Sequence, residues 1–139
     1  MSSLSERILH DFKPLRESQA SLSVLLVEDE WLVRMDIADA LTEAGWEVVE
    51  SGSGEEAIAL ISRRAPDILV TDIRLTGVLT GWDVADAFRA AKPGRPVVYA
   101  SANPQNEARA VAGSIFLVKP SRSDALVNAC HQLLARRVD

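Results

Sequence analysis

The chain predicts an α/β fold, a doubly wound five-stranded parallel sheet in the order 2-1-3-4-5 with helices on both faces. Short runs rich in apolar and β-branched residues recur along it, bounded by turn formers, as strands buried on both faces require. Stretches with apolar residues at helical spacing separate those runs, and such alternation produces a parallel sheet with right-handed crossovers. A length of 139 residues is one ordinary domain with room for a full core.

Residues 1–22 stand apart from this pattern and are read as an N-terminal arm, with the domain running over 23–139. Leu4, Ile8, Leu9, Phe12 and Leu15 fall at helical spacing, but Pro14 interrupts them and the stretch after Glu17 is small and polar. The arm is either a short amphipathic helix that docks on the domain or on a second copy, or a frayed terminus.

Val24 to Val27 form the first strand, ending in Glu28-Asp29-Glu30. A helix follows with Val33, Ile37, Leu41 and Ala44 on one face, and Gly45 is placed to terminate it. Trp46 to Glu50 make a short second strand. Ser53, with Glu56 three residues on, is a capping-box pattern opening a helix that buries Ala57, Ile58 and Ile61. The third strand, Ile68-Leu69-Val70-Thr71, closes on Asp72. Burying that carboxylate would be costly, so it belongs at the strand's carboxyl end, where open α/β sheets bind ligands.

A loop from Ile73 to Gly81 leads to a helix over Trp82 to Ala91, stopped by Lys92-Pro93-Gly94-Arg95-Pro96. Val97 to Ser101 form the fourth strand, and 103–113 hold only a short fourth helix. Ile115 to Val118 form the fifth strand, closed by Lys119-Pro120. A fifth helix from Ser123 to about Arg136 turns Leu126, Val127, Cys130, Leu133 and Leu134 inward. Cys130 reads as core, and His10 and His131 lack metal-ligand spacing.

Hydrophobic residues make up 47% and charged residues 25%, the balance of a soluble globular protein. A net charge of −5 argues against a nucleic-acid binder, which needs clustered Lys and Arg. With one Cys there is no internal disulfide, no run approaches a membrane span, and no signal peptide is evident, so a cytoplasmic location is expected. No room is seen for an output or DNA-binding domain.

The residues that close the strands carry the chemistry: Glu28 and Asp29, Asp72, Ser101 and Lys119. In the order 2-1-3-4-5 the crevice lies between the first and third strands, so the three carboxylates share one site. They repel unless a cation lies among them, and hard oxygen ligands at this density suit Mg²⁺. Lys119 and Ser101 suit phosphoryl oxygens, and Asp72 is the best-placed covalent nucleophile. Gly52-Ser53-Gly54 lacks the Lys-Ser/Thr ending of a P-loop and reads as a helix cap.

This ordered set resembles the receiver domain of bacterial two-component response regulators, with a flavodoxin-like fold, over about residues 23–137. The resemblance rests on Val-Glu28-Asp29-Glu30, Ile-Leu-Val-Thr-Asp72, Tyr-Ala-Ser101-Ala and Lys119-Pro120. It implies a stand-alone signalling protein, not an enzyme, that is phosphorylated on Asp72 by a histidine kinase or phosphotransfer protein. Asp29, Asp72 and the backbone carbonyl of Arg74 would bind Mg²⁺, with Glu28 assisting through water. Lys119 and Ser101 would hold the phosphoryl group, and the Lys119-Pro120 bond would be cis. Ser101 and Phe116 would act as the switch, altering the face of the fourth helix, fifth strand and fifth helix. A homodimer is possible; nucleic acid and membrane are not expected partners.

Three departures from the family pattern stand out. The loop after Asp72 has Thr76 where proline is usual, and is one residue longer. The interval between Ser101 and Lys119 is short. Arg74 and Asn103 occupy positions where the family tunes dephosphorylation. A phosphatase of the haloacid dehalogenase type would need a second Asp where Arg74 stands. A flavin carrier would need a Ser/Thr-rich loop in place of Glu28-Asp29-Glu30. A receiver-like scaffold that no longer accepts phosphate is the remaining alternative.

Overall fold

The structure, a computed structural model, describes residues 22–102, 107–119 and 123–138. In chain order these form β1 (Ser23–Val27), α1 (Trp31–Glu43), β2 (Glu47–Ser51), α2 (Gly54–Arg64), β3 (Ile68–Thr71), α3 (Gly81–Ala91), β4 (Val97–Ser101), β5 (Ile115–Val118) and α4 (Ser123–Val138). All strand pairs are parallel, and the sheet order is β2-β1-β3-β4-β5. The doubly wound fold expected from the alternation is the one observed.

Strand residues alternate between two cores, because successive side chains point to opposite faces. Val24, Leu26, Val70 and Val98 face α1 and α4, where Ile37, Leu41, Leu126, Cys130 and Leu133 meet them. Leu25, Val27, Leu69, Val97 and Tyr99 face α2 and α3, against Ala57, Ile61, Val84 and Phe88. Full burial of each large aliphatic or aromatic side chain is worth roughly 1.5–3 kcal/mol, so both faces hold the sheet. Trp46 is buried and sets its ring edge against His131, with centroids 5.0 Å apart.

Helix ends follow local chemistry. Gly45, at φ +97°, provides the left-handed residue after α1. Ser53 Oγ accepts the Glu56 N–H at 3.2 Å, while the Glu56 carboxylate accepts from Gly52 rather than from Ser53. Thr80 and Asp83 complete a reciprocal capping box at the start of α3, one that the Gly81-Trp82 boundary had concealed.

Two expectations are corrected. Ala44 is exposed because it is the C-cap of α1, one residue past the end of the helix. Of the five helices expected, the described residues hold four α-helices; between β4 and β5, where only a short helix was expected, they hold one 3₁₀ turn, Glu107–Arg109. The arm, including His10, Asn103, and the Lys119-Pro120 bond to Pro120 lie outside the described residues. Among those described, no helix is long and apolar enough to cross a membrane.

Candidate functional site

Strand register assembles the site. Val27 is paired with Ser51 on one side and Thr71 on the other, so the next residues, Glu28 and Asp72, emerge side by side. The ladder continues one bond past each strand: Asp72 N–H donates to the Val27 carbonyl at 2.9 Å, and Glu28 N–H to Ser51 at 3.0 Å. Ser101 pairs with Val118, and Lys119 N–H donates to the Ser101 carbonyl at 2.8 Å. Parallel pairing thus brings four segments to one rim.

There the lysine is shared. Lys119 Nζ donates to Glu28 Oε1 at 2.5 Å and to Asp72 Oδ2 at 3.0 Å, bridging residues 91 and 47 positions away. The second Asp72 oxygen, Oδ1, accepts the Ile73 N–H at 2.7 Å. Carboxylate oxygens of Glu28, Asp29 and Asp72 all lie within 4.8 Å of one another. Glu28 is 2% exposed, whereas Asp29 and Asp72 are half-buried at the mouth. A cleft of about 330 Å³ opens there, lined by Asp29, Glu30, Asp72, Arg74, Ser101, Ala102 and Lys119.

Burial pushes the Glu28 carboxyl above its usual range, more than its bonds from Lys119 and the Glu30 N–H pull it down. Burial also disfavours the Lys119 ammonium, but hydrogen bonds to Glu28 and Asp72 outweigh it and raise the lysine above its ordinary value. Lys119 is therefore a fixed cation at neutral pH. Hard oxygens from Asp29 and Asp72 beside an open cleft fit Mg²⁺, which keeps waters and tolerates few protein ligands.

Most residues singled out in the sequence converge. Glu28, Asp29, Asp72, Arg74, Ser101 and Lys119 do so directly, with Ser101 buried beneath the cleft. Phe116 stands apart: half-buried, it leans on Tyr99 and Trp82 with centroids 6.1 and 6.3 Å away. Tyr99, whose hydroxyl accepts the Val111 N–H at 3.1 Å, fills the space beneath it. Trp82 is buried in the α3 core, while Trp31 is 60% exposed on α1.

The contacts of two further residues were not foreseen. Arg34 Nη1 donates to the Glu28 carbonyl at 2.7 Å, and its Nε pairs with Glu50 at 3.2 Å. It satisfies a carbonyl that β2 no longer reaches once the chain turns at Gly52; a cation one turn into the helix after an acidic strand end was its only signal. Thr76 Oγ1 lies 2.8 Å from Asp29 Oδ2, a contact between residues 47 apart that no local pattern announces.

Comparison with known proteins agrees with this geometry. A family model, response regulator receiver domain, matches residues 24–131. The chain is 36% identical over 118 residues to the transcriptional regulatory protein PdtaR of Mycobacterium tuberculosis, covering 81% of this chain and 57% of that one. It spans about half the length of the curated relatives it matches first. Among solved structures, a response regulator receiver protein from Sinorhizobium medicae is 38% identical with a TM-score of 0.80, covering 84% of this chain and 96% of that one. The receiver domain of a sensor histidine kinase from Pseudomonas aeruginosa, solved with a magnesium ion in its active-site cleft, is 25% identical with a TM-score of 0.71 over 82% and 98%.

Proposed function

This chain belongs to the response regulator receiver domain family, and from that footing we propose that it accepts a phosphoryl group on Asp72 from a phosphohistidine protein. An Asp72 oxygen attacks phosphorus, the phosphorus–nitrogen bond breaks, and the imidazole leaves with a proton. The product is an aspartyl phosphate, formed once per molecule rather than turned over. Asp29, Asp72 and the Arg74 carbonyl would hold Mg²⁺, with Glu28 assisting through water, and the ion would supply charge neutralisation for the transferring oxygens.

The chain's own groups do the positioning. The Ile73 N–H and Lys119 Nζ hold the Asp72 carboxylate from two sides, which orients it for attack. Once a dianion sits on Asp72, Lys119 can follow it, leaving Glu28 for the phosphoryl oxygens. Ser101, at the end of β4, offers its hydroxyl to the same group. Its movement would free space for the Phe116 ring and change the surface of β5 and α4. Signalling through that face, or through a second copy, completes the reading.

The donor's docking place is the exposed apolar rise of Trp31, Leu32 and Met35 on α1. It borders a groove of about 470 Å³ that shares Glu30, Ala102 and Lys119 with the acidic cleft lined by Asp72, which supports this placement.

The observation that carries this reading is Lys119 bridging Glu28 and Asp72 at the rim of three strands. Incubation with Mg²⁺ and a small acyl phosphate, followed by mass measurement, should give a single acid-stable, base-labile phosphoryl adduct. Asp72→Ala should abolish it. Turnover without an adduct would indicate a phosphatase, and no adduct at all a scaffold.

A further inference from the structure

The loop between β3 and α3 is held at three places. Its base is closed by the Gly81 N–H donating to the Ile73 carbonyl at 2.8 Å, with Gly81 so near β3 that a Cβ there would lie 2.0 Å from the Asp72 carbonyl oxygen. Its crest is tied to α2, where Val78 N–H donates to Glu55 Oε2 at 3.3 Å. Gly77 permits this by adopting φ +102°, and any side chain there would crowd the Glu55 carboxylate at 3.0 Å. Between those anchors Thr76 forms a parallel bridge with Ser53.

So placed, Thr76 Oγ1 reaches Asp29 Oδ2 at 2.8 Å. An ionised carboxylate only accepts, so the threonine hydroxyl must be the donor. The bond engages one oxygen of Asp29 and restrains rotation of the carboxylate beside the cleft. Asp29 is half-buried at the mouth of the cleft, so side-chain freedom there would otherwise be considerable. We propose that Thr76 is a positioning residue for the cation site, holding Asp29 in its ligating orientation, with Ser53 and Glu55 holding Thr76 in turn. This rests on the phosphoacceptor reading above, because it assumes that Asp29 is a Mg²⁺ ligand. Outer partners of metal ligands act in this way, and their loss typically weakens metal affinity about 10- to 100-fold.

The test is Mg²⁺ affinity measured by titration calorimetry, without phosphorylation. Thr76→Val, which keeps the shape and removes the donor, should weaken binding by about tenfold or more. Thr76→Ser restores the hydroxyl and should return affinity to near the wild-type value, while thermal unfolding of the two variants stays similar. Glu55→Ala, which frees only the crest of the loop, should weaken binding less than Thr76→Val. Equal or tighter Mg²⁺ binding by Thr76→Val would overturn the assignment, as would a failure of Thr76→Ser to rescue. Absence of Mg²⁺ binding by the wild type would overturn the phosphoacceptor reading beneath it as well, which separates the two failures.

Discussion

The two ends of the parallel sheet both hold charged groups, and they use them differently. At the amino end, Arg95 is 4% exposed and its guanidinium goes to backbone. Nη1 donates to the Pro66 carbonyl and Nη2 to the Phe88 carbonyl, each at 2.6 Å, and the group lies 3.8 Å over the Phe88 ring. Asp67 there accepts the Ser23 N–H at 2.8 Å. At the carboxyl end, Lys119 instead bridges side chains, Glu28 and Asp72, at the edge of an open cleft. A guanidinium locked to carbonyls cannot be recruited elsewhere without opening the backbone. An ammonium between two side-chain carboxylates at an open cleft can change partners when a new anion arrives. The amino end is built to stay, and the carboxyl end to exchange.

The most severe way to probe that contrast is Lys119→Ala. Loss of the bridging cation should slow adduct formation from acyl phosphate by roughly 10²-fold or more, the usual consequence of losing one donor at a developing charge. Circular dichroism should still show the folded domain. A rate within a few-fold of wild type would break the comparison at its functional end. Arg95→Met tests the other end. It leaves the Pro66 and Phe88 carbonyls without their guanidinium donor, which should lower stability in urea by about 3 kcal/mol. The adduct yield at low temperature should be unchanged.

Asp83 sharpens the contrast, because it lies at the functional end yet serves backbone. Its carboxylate accepts the Thr80 N–H at 2.8 Å, and that bond holds its pKa below the usual carboxylate value. A depressed folded-state pKa means stabilisation that is complete above the unfolded value and lost as pH falls through the folded one. Thr80→Ala, which removes the other half of the box, should cost about 1 kcal/mol at neutral pH. Asp83→Asn should also be less stable than wild type near pH 6, the gap closing toward pH 3 in urea melts. The smallest effect is expected at Cys130. Fully buried and with its thiol pushed up to about 12 by burial, it should resist thiol reagents at neutral pH until the protein is unfolded.

Much of this was legible before any coordinates. The runs at Val24, Ile68, Val97 and Ile115 are short and apolar on both faces, so only a covered parallel sheet could absorb them, and β1, β3, β4 and β5 lie where they were read. The strand-closing residues Glu28, Asp72, Ser101 and Lys119 were legible for the same reason: a polar group ending a buried strand has one place to go. Between β4 and β5 the breaks at Pro104 and Gly113 made a short helix legible but not its type, and the described residues there hold a single 3₁₀ turn. Arg34 escaped notice, and Thr76 was marked only as a departure in the loop after Asp72, because each acts on a residue in another segment.

Pattern along the chain determined which segments are strands, which faces are buried and which charges must surface together, since each of these follows from local periodicity and the cost of burying a charge. Only the tertiary structure decided which oxygen meets which donor: Lys119 between Glu28 and Asp72, Thr76 on Asp29, Arg34 on the Glu28 carbonyl. Hydrogen bonds are settled over tenths of an ångström, and distances of that order are fixed by the register of β1 against β3 and of β4 against β5.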